Sequence, residues 1–148
     1  MKLFSQNDPK WKDTLLGFSN LKIGSYGCLI TCIGMSIELD PDVVNIKLKA
    51  VGGFSGALVI WSKIQAALPQ LKFVWRSNVY DNTAVLSQIK RNGFCFVETR
   101  NRFTGSRHWV LFVGNKRLYD PWDGKEKGTG TYNGLLWSYS GFSAIDKV

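Results

Sequence analysis

The chain has 148 residues, of which 45% are hydrophobic, 14% aromatic and 20% charged. This composition excludes a disordered protein, and the length predicts a single domain over residues 1–148 with a large apolar core. The formal net charge of +8 favours association with anionic partners. Because the basic residues occur only as short pairs and triplets, we predict no specific nucleic-acid site.

The cysteine count and the N-terminus bear on the compartment of the protein. Three cysteines are too few, and odd in number, for a secreted disulfide scaffold. The N-terminal residues lack the apolar run of a signal peptide, and no segment is long enough to cross a bilayer. We therefore expect no transmembrane segment, a monomer, and a cytoplasmic or phage- or virion-associated location.

The first half of the chain reads as loop followed by helices. Residues 1–27 mix turn formers with aromatics, which indicates loop. From Cys28 to Leu39 the apolar residues cover nearly the whole circumference of a helix, which is typical of a buried one. Asp40-Pro41 begins a second helix that ends before Gly52-Gly53. A third helix is predicted from Ala57 to Leu68, where apolar residues step by three or four.

The second half of the chain changes to a strand pattern. A strand from Leu71 to Arg76 precedes a helix for which Asn82 is the predicted N-cap and which Asn92-Gly93 ends. Short aromatic and β-branched runs follow at Phe94–Val97 and Trp109–Val113, and a glycine-rich loop is expected from Asp123 to Gly134. Helices followed by antiparallel strands predict an α+β domain, with N-terminal helices packed on a C-terminal antiparallel sheet.

His108 is the only histidine, and it begins an apolar strand. A lone histidine at a strand end is more often structural than catalytic. A hairpin centred on Gly114 would, however, place Asp120 directly opposite His108, since each lies six residues from the centre. A carboxylate beside an imidazole fixes its tautomer and stabilises the imidazolium, so the second ring nitrogen can serve a nucleophile. Alternatively, Asp120 has a purely structural role, in which it starts the turn that continues with Pro121.

Cys28 is the candidate nucleophile, because it is predicted to lie at the first turn of its helix, directly after Gly27. The partial positive charge there, together with a neighbouring imidazolium, stabilises a thiolate. We interpret Cys32 and Cys95 as small core residues. A metal site that joins Cys28, Cys32 and His108 lacks the ligand pairs of structural zinc sites, so neither a metal nor a cofactor is predicted.

Four stretches of the sequence resemble the stand-alone C39-like cysteine peptidases of the papain-like superfamily, relatives of the double-glycine leader peptidases. The stretches are SQNDPKW, IGSYGCLIT, NIKLKAVGGFSGALVIW and HWVLFVGNKRLYDPWDG, which together run from about Ser5 to Gly124 in the family's order. The resemblance implies a papain-like fold, with Cys28 as nucleophile, His108 as general base and acid, and Asp120 as the residue that orients His108.

The resemblance also implies that Gln6 donates to the oxyanion. Gln6 lies 22 residues before Cys28, a gap that the stand-alone relatives tolerate and the leader peptidases lack. The expected activity is hydrolysis of a peptide or amide bond through an acyl-enzyme. Two alternatives remain open. One is a lytic or phage-type amidase or endopeptidase that acts on the peptide stems of peptidoglycan, and the other is an inactive papain-like module that binds an anionic partner.

Overall fold

The protein is an α+β domain built on a six-stranded antiparallel sheet. The computed structural model describes all of residues 1–148. A separate two-stranded hairpin precedes the sheet. The strands are β1 (Phe54–Ser55), β2 (Leu58–Val59), β3 (Leu71–Ser77), β4 (Cys95–Asn101), β5 (Arg107–Gly114), β6 (Arg117–Asp120), β7 (Lys125–Gly128) and β8 (Trp137–Lys147). The order of the strands in the six-stranded sheet is β3-β8-β4-β5-β6-β7.

Five helices accompany the sheet, and most lie in the first half of the chain. They are α1 (Ile23–Tyr26), α2 (Cys28–Ile37), α3 (Pro41–Ala50), α4 (Ile64–Ala67) and α5 (Asn82–Asn92). Short 3-10 turns occur at Trp61–Lys63 and Thr129–Tyr132. None of the helices has both the length and the apolar character needed to cross a bilayer.

The sheet separates two apolar cores because successive strand residues point to opposite faces. Trp109 and Leu111 of β5 belong to the larger core, which also contains buried residues of α2, α3 and α4. Val110 and Phe112 belong to the smaller core, where Val85 of α5 packs. Strand β5 is therefore apolar on both faces, as the sequence predicts.

The predicted helix from Ala57 to Leu68 is wrong over its first half. Gly56 adopts a left-handed backbone conformation with φ of 60°, and the chain turns there to pair Phe54 with Val59. A 3-10 turn and the four residues of α4 follow. The apolar spacing missed this because the turn at Gly56, in a conformation that glycine adopts readily, folds Leu58 and Val59 back as a strand against the residues before it.

The predicted loop from Asp123 to Gly134 is also partly wrong. The chain reverses after Asp120, and β7 returns along β6 with Asp120 opposite Lys125. Gly124 has φ of 68° and donates its backbone N–H to the Asp120 carbonyl at 2.9 Å. The Asp-Gly pair at 123–124 is a hairpin signal, and this hairpin carries side chains back towards Asp120.

Candidate active site

Cys28 is the first residue of α2, and a sharp junction with α1 places it there. Gly27 lies between the two helices and is buried. A Cβ atom at Gly27 would lie 2.6 Å from the Ile23 carbonyl oxygen, so packing between α1 and α2 requires glycine at this position. The Cys28 side chain is partly exposed, and its sulfur accepts a hydrogen bond from the Trp109 backbone N–H at 3.5 Å. The sulfur therefore lies against Trp109 of β5, the residue that directly follows His108.

His108 and Asp120 meet side by side at the ends of β5 and β6. His108 Nε2 lies 2.8 Å from Asp120 Oδ1. The hairpin is not centred on Gly114: Leu111 pairs with Tyr119 and Phe112 with Leu118. Extending this register by one residue puts Asp120 opposite position 110. His108 therefore lies diagonally across from Asp120 on the same face, not directly opposite as the symmetry of the sequence predicts.

Asp120 is fully buried and accepts four hydrogen bonds. Besides His108, its donors are the Lys127 ammonium at 2.7 Å, the Tyr132 hydroxyl at 2.5 Å and the Trp122 backbone N–H at 3.0 Å. Burial raises the pKa of this carboxyl, but the hydrogen bonds from His108, Lys127 and Tyr132 outweigh burial and hold the pKa well below its ordinary value. Asp120 is therefore a fixed negative charge.

The same contacts favour the charged form of His108. Burial lowers the pKa of the imidazole, but the hydrogen bond with Asp120 and the interaction with the Cys28 sulfur more than offset burial. The result is a pKa raised from 6.5 to about 9. Since Nε2 faces Asp120, Nδ1 is the ring nitrogen left for the side of Cys28.

Gln6 reaches the site because the N-terminal segment packs on the β6–β7 turn. Its backbone N–H donates to the Pro121 carbonyl at 2.6 Å, and the Ser5 hydroxyl donates to the Trp122 carbonyl at 2.9 Å. The Gln6 side chain is buried, and its Nε2 donates to the Gly24 carbonyl at 3.1 Å. Its Oε1 is buried without a hydrogen-bond partner. The structure thus brings Gln6 to the cavity that contains Cys28 despite the 22-residue separation.

One cavity, with a volume of about 380 Å³, contains three of the predicted site residues, Gln6, Cys28 and His108. Asp120 lies behind His108, away from the cavity surface. The other lining residues are Ser25, Tyr26, Arg107, Trp122, Tyr132 and Trp137. Cys28 also lines a second, mainly apolar pocket of about 210 Å³, whose walls include Leu29 and Trp109. Cys28 therefore lies between two pockets, which also share Tyr26 and Arg107 as lining residues.

The remaining cysteines lie in the interior, and no cluster of side chains suits a metal. Cys32 and Cys95 are fully buried, and burial raises the pKa of the Cys95 thiol to about 12. No group of three or more His, Cys, Asp and Glu side chains is arranged to hold a metal ion. A larger cavity of about 480 Å³ lies beside α5 and contains none of the predicted site residues.

Sequence reasoning missed two residues that contact Asp120. Lys127 lies on β7 and Tyr132 in the 3-10 turn after it, a region predicted to be loop. The Tyr132 ring also lies against the His108 ring, with centroids 5.4 Å apart. The Asp-Gly turn at 123–124 is the signal that would have revealed Lys127, because a tight hairpin there returns position 127 to the neighbourhood of Asp120.

No match was found when the chain was compared with models of protein families, with curated proteins or with solved structures. The activity must therefore be argued from the residues and their geometry. Three features meet at one cleft: the partly exposed Cys28 at the start of a helix, the His108 imidazole bonded to a buried carboxylate, and the buried amide of Gln6.

Proposed function

We propose that this protein is a thiol hydrolase with a papain-like fold, similar to the C39-like cysteine peptidases, that cleaves a peptide or amide bond. The observation that carries the proposal is that the Cys28 sulfur lies against the Trp109 backbone, next to His108, with which it interacts, and that His108 is bonded to the buried Asp120 at an open cleft. An imidazolium held between a thiol and a carboxylate stabilises the thiolate, which is the nucleophilic form of cysteine.

The reaction follows from these positions. The Cys28 thiolate attacks the carbonyl carbon of the substrate, and the imidazolium of His108 donates its Nδ1 proton to the leaving amine. This step leaves an acyl group on the sulfur. His108 then removes a proton from a water molecule, which attacks the acyl carbon. The acid product leaves, the sulfur becomes a thiolate again, and His108 is protonated for the next turnover.

Gln6 is the proposed donor to the oxyanion of the tetrahedral intermediates. Its amide orientation is fixed, because the Gly24 carbonyl can only accept and so identifies the nearby atom as Nε2. The amide has a second N–H that the Gly24 carbonyl does not use. A donor aimed at developing charge contributes about 3 kcal/mol to transition-state stabilisation.

The cleft on both sides of Cys28 favours an extended polypeptide as substrate. A chain that crosses the sulfur would contact the cavity lined by Trp122 and Trp137 on one side and the apolar pocket beside Leu29 on the other. The peptide stems of peptidoglycan share the amide chemistry. Both substrate classes therefore belong in the functional test.

Substrate profiling tests the proposal because it assumes no particular cleavage site. The wild-type protein and the Cys28→Ser variant are incubated with a diverse mixture of synthetic peptides and, separately, with purified peptidoglycan. Mass spectrometry then identifies new termini. We expect cleavage by the wild type and a loss of at least about a thousandfold in Cys28→Ser, because its hydroxyl is a far weaker nucleophile at neutral pH.

Cys32→Ser serves as the control, because Cys32 is buried one helical turn further along α2. Cleavage that persists in Cys28→Ser would show that another group performs the chemistry. A wild-type protein that cleaves neither material would contradict the hydrolase proposal and favour the alternative of a binding module.

A further inference from the structure

Three large apolar side chains protrude together from two turns at one end of the sheet. They are Phe103, Leu135 and Leu136, which we call the apolar tip, and they are 78%, 90% and 56% exposed. Phe103 lies in the connection between β4 and β5, and the two leucines lie just before β8. Clustered exposed apolar residues on a folded domain commonly mark an interaction surface.

The two turns that carry the apolar tip are joined by hydrogen bonds. The Arg102 backbone N–H donates to the Leu136 carbonyl at 2.7 Å, and Arg102 Nε donates to the Gly134 carbonyl at 3.0 Å. The Asn101 side chain accepts from the Phe103 backbone N–H at 3.0 Å. The three side chains are therefore held out by an ordered framework.

The two segments that carry the apolar tip are basic and contain no acidic residue. The segments 99–119 and 127–145 contain no Asp or Glu. Of the four acidic residues that border these segments, Glu98 and Asp120 are buried and paired with cations. The other two, Glu126 and Asp146, are paired with Arg117 and Arg91. Exposed arginines lie on both sides of the β4–β5 turn, at Arg100, Arg102 and Arg107. The surface around the tip thus has a positive charge.

We propose that the apolar tip docks the protein on an anionic lipid bilayer. Phe103, Leu135 and Leu136 would enter the boundary between headgroups and acyl chains, while Arg100 and Arg102 bind lipid phosphates. This docking concerns a surface that the hydrolase proposal does not use. It would nevertheless hold the cleft near the membrane, because Trp137 contributes to the cavity of Cys28 and follows the two leucines directly.

The combination of charge and apolar surface favours a bilayer over a soluble polyanion. A polyanion would bind the arginines and gain nothing from burial of Leu135 or Phe103. Binding to a bilayer is stabilised by both classes of residue, because the apolar side chains leave water while the arginines approach the headgroups. The dependence on each class of residue therefore distinguishes the two partners.

Vesicle sedimentation with the full chain tests the proposal. The vesicles contain equal parts of phosphatidylglycerol and phosphatidylcholine, in about 0.1 M salt, where exposed charges are partly screened. We expect the wild type to bind, and Leu135→Ser to lower the partition coefficient about tenfold because one leucine no longer leaves water. Arg100→Gln should lower it about fivefold. Vesicles of phosphatidylcholine alone should bind much more weakly.

Matched controls remove the same groups elsewhere on the surface. Ile46→Ser removes an aliphatic side chain that is 63% exposed on α3, and Lys90→Gln removes an exposed positive charge on α5. Both should bind as the wild type does.

Absence of wild-type binding would overturn the proposal, as would normal binding by Leu135→Ser. Binding that depends on Arg100 alone, and equally strong binding to heparin, would indicate a polyanion instead. Circular dichroism verifies folding, and Leu136→Ser provides a second apolar variant.

Discussion

Asp120 is the residue whose surroundings most constrain the chemistry of the cleft. Its Oδ1 is shared between His108 and the Trp122 backbone, and its Oδ2 between Lys127 and Tyr132. The carboxylate is therefore fixed in orientation, and part of its charge is neutralised by a cation other than the imidazolium. Lys127 and Tyr132 act on His108 through Asp120, which makes them positioning residues.

His108 allows a direct measurement of this effect, because it is the only histidine in the chain. Its imidazole should titrate by NMR with a midpoint of about 9. Lys127→Met removes a positive charge from Asp120, so the imidazolium becomes more stable and the midpoint should rise by up to about one pH unit. An upward shift is the opposite of what simple loosening of the site would give, since exposure to water returns a histidine towards 6.5.

Lys125→Met is the matched control, because Lys125 is exposed on the same strand and forms no ion pair with Asp120. In Lys125→Met the midpoint of the His108 titration should stay within a few tenths of a pH unit of the wild-type value. A Lys127→Met midpoint equal to that of Lys125→Met would mean that Lys127 does not act on the imidazole through Asp120.

At the scale of elements, the sequence predicts those whose signals are local and strong. Helix α3 begins at Pro41 after Asp40, and α5 ends at Asn92 before Gly93, both as expected. The predicted N-cap of α5, Asn82, is wrong by one residue, because the Asp81 side chain accepts from the Ala84 backbone N–H and Asn82 is the first helical residue. Strand β5 is evident from its apolar run. The sequence fails after Gly56, where β2 of a hairpin replaces the first turn of a predicted helix. It also fails at β7, where Lys-Glu-Lys-Gly forms a strand only because β6 lies alongside.

In the candidate site, too, some contacts follow from local sequence signals and others depend on long-range packing. Proximity of His108 and Asp120 follows from the hairpin, although the turn lies one residue later than a centre at Gly114. The approach of Gln6 does not follow from local pattern, because it depends on packing between the N-terminal segment and the β6–β7 turn. Long-range packing of this kind is specified by the complementarity of distant surfaces.

Gly124 is the contact point between those two elements, and its replacement tests the arrangement. A Cβ atom at Gly124 would lie 2.9 Å from the Ser5 backbone nitrogen and 3.0 Å from the Phe4 carbonyl carbon, at a φ of 68°. Gly124→Ala should therefore destabilise the protein by roughly 1–3 kcal/mol in urea unfolding. It should also lower turnover, because the segment that carries Gln6 is displaced.

Gly130→Ala provides the comparison, since a Cβ atom there meets nothing within 4 Å. We expect its unfolding free energy to differ from wild type by no more than about 0.5 kcal/mol. If Gly124→Ala were as stable and as active as Gly130→Ala, the N-terminal segment would not depend on this contact to position Gln6.

For the whole molecule, the cleft is assembled from parts of the chain that are distant in sequence. The N-terminal segment supplies Gln6, the start of α2 supplies Cys28, and two adjacent strands supply His108 and Asp120. The two cores hold these parts in place from opposite faces of the sheet. Arg107 lines this cleft, and Trp137 lies between the cleft and the two leucines of the apolar tip. Chemistry and docking would therefore use one end of the molecule.

In the proposed mechanism His108 activates the Cys28 sulfur, and this activation can be measured as the rate of alkylation by iodoacetamide at pH 6. Peptide mapping separates the three cysteines, and the buried Cys32 and Cys95 serve as internal controls. An ordinary thiol is only about one part in 300 ionised at this pH. We expect that Cys28 alone is alkylated, and that His108→Ala slows the alkylation of Cys28 by at least about tenfold. Labelling of Cys28 at an ordinary thiol rate, unchanged in His108→Ala, would contradict this mechanism.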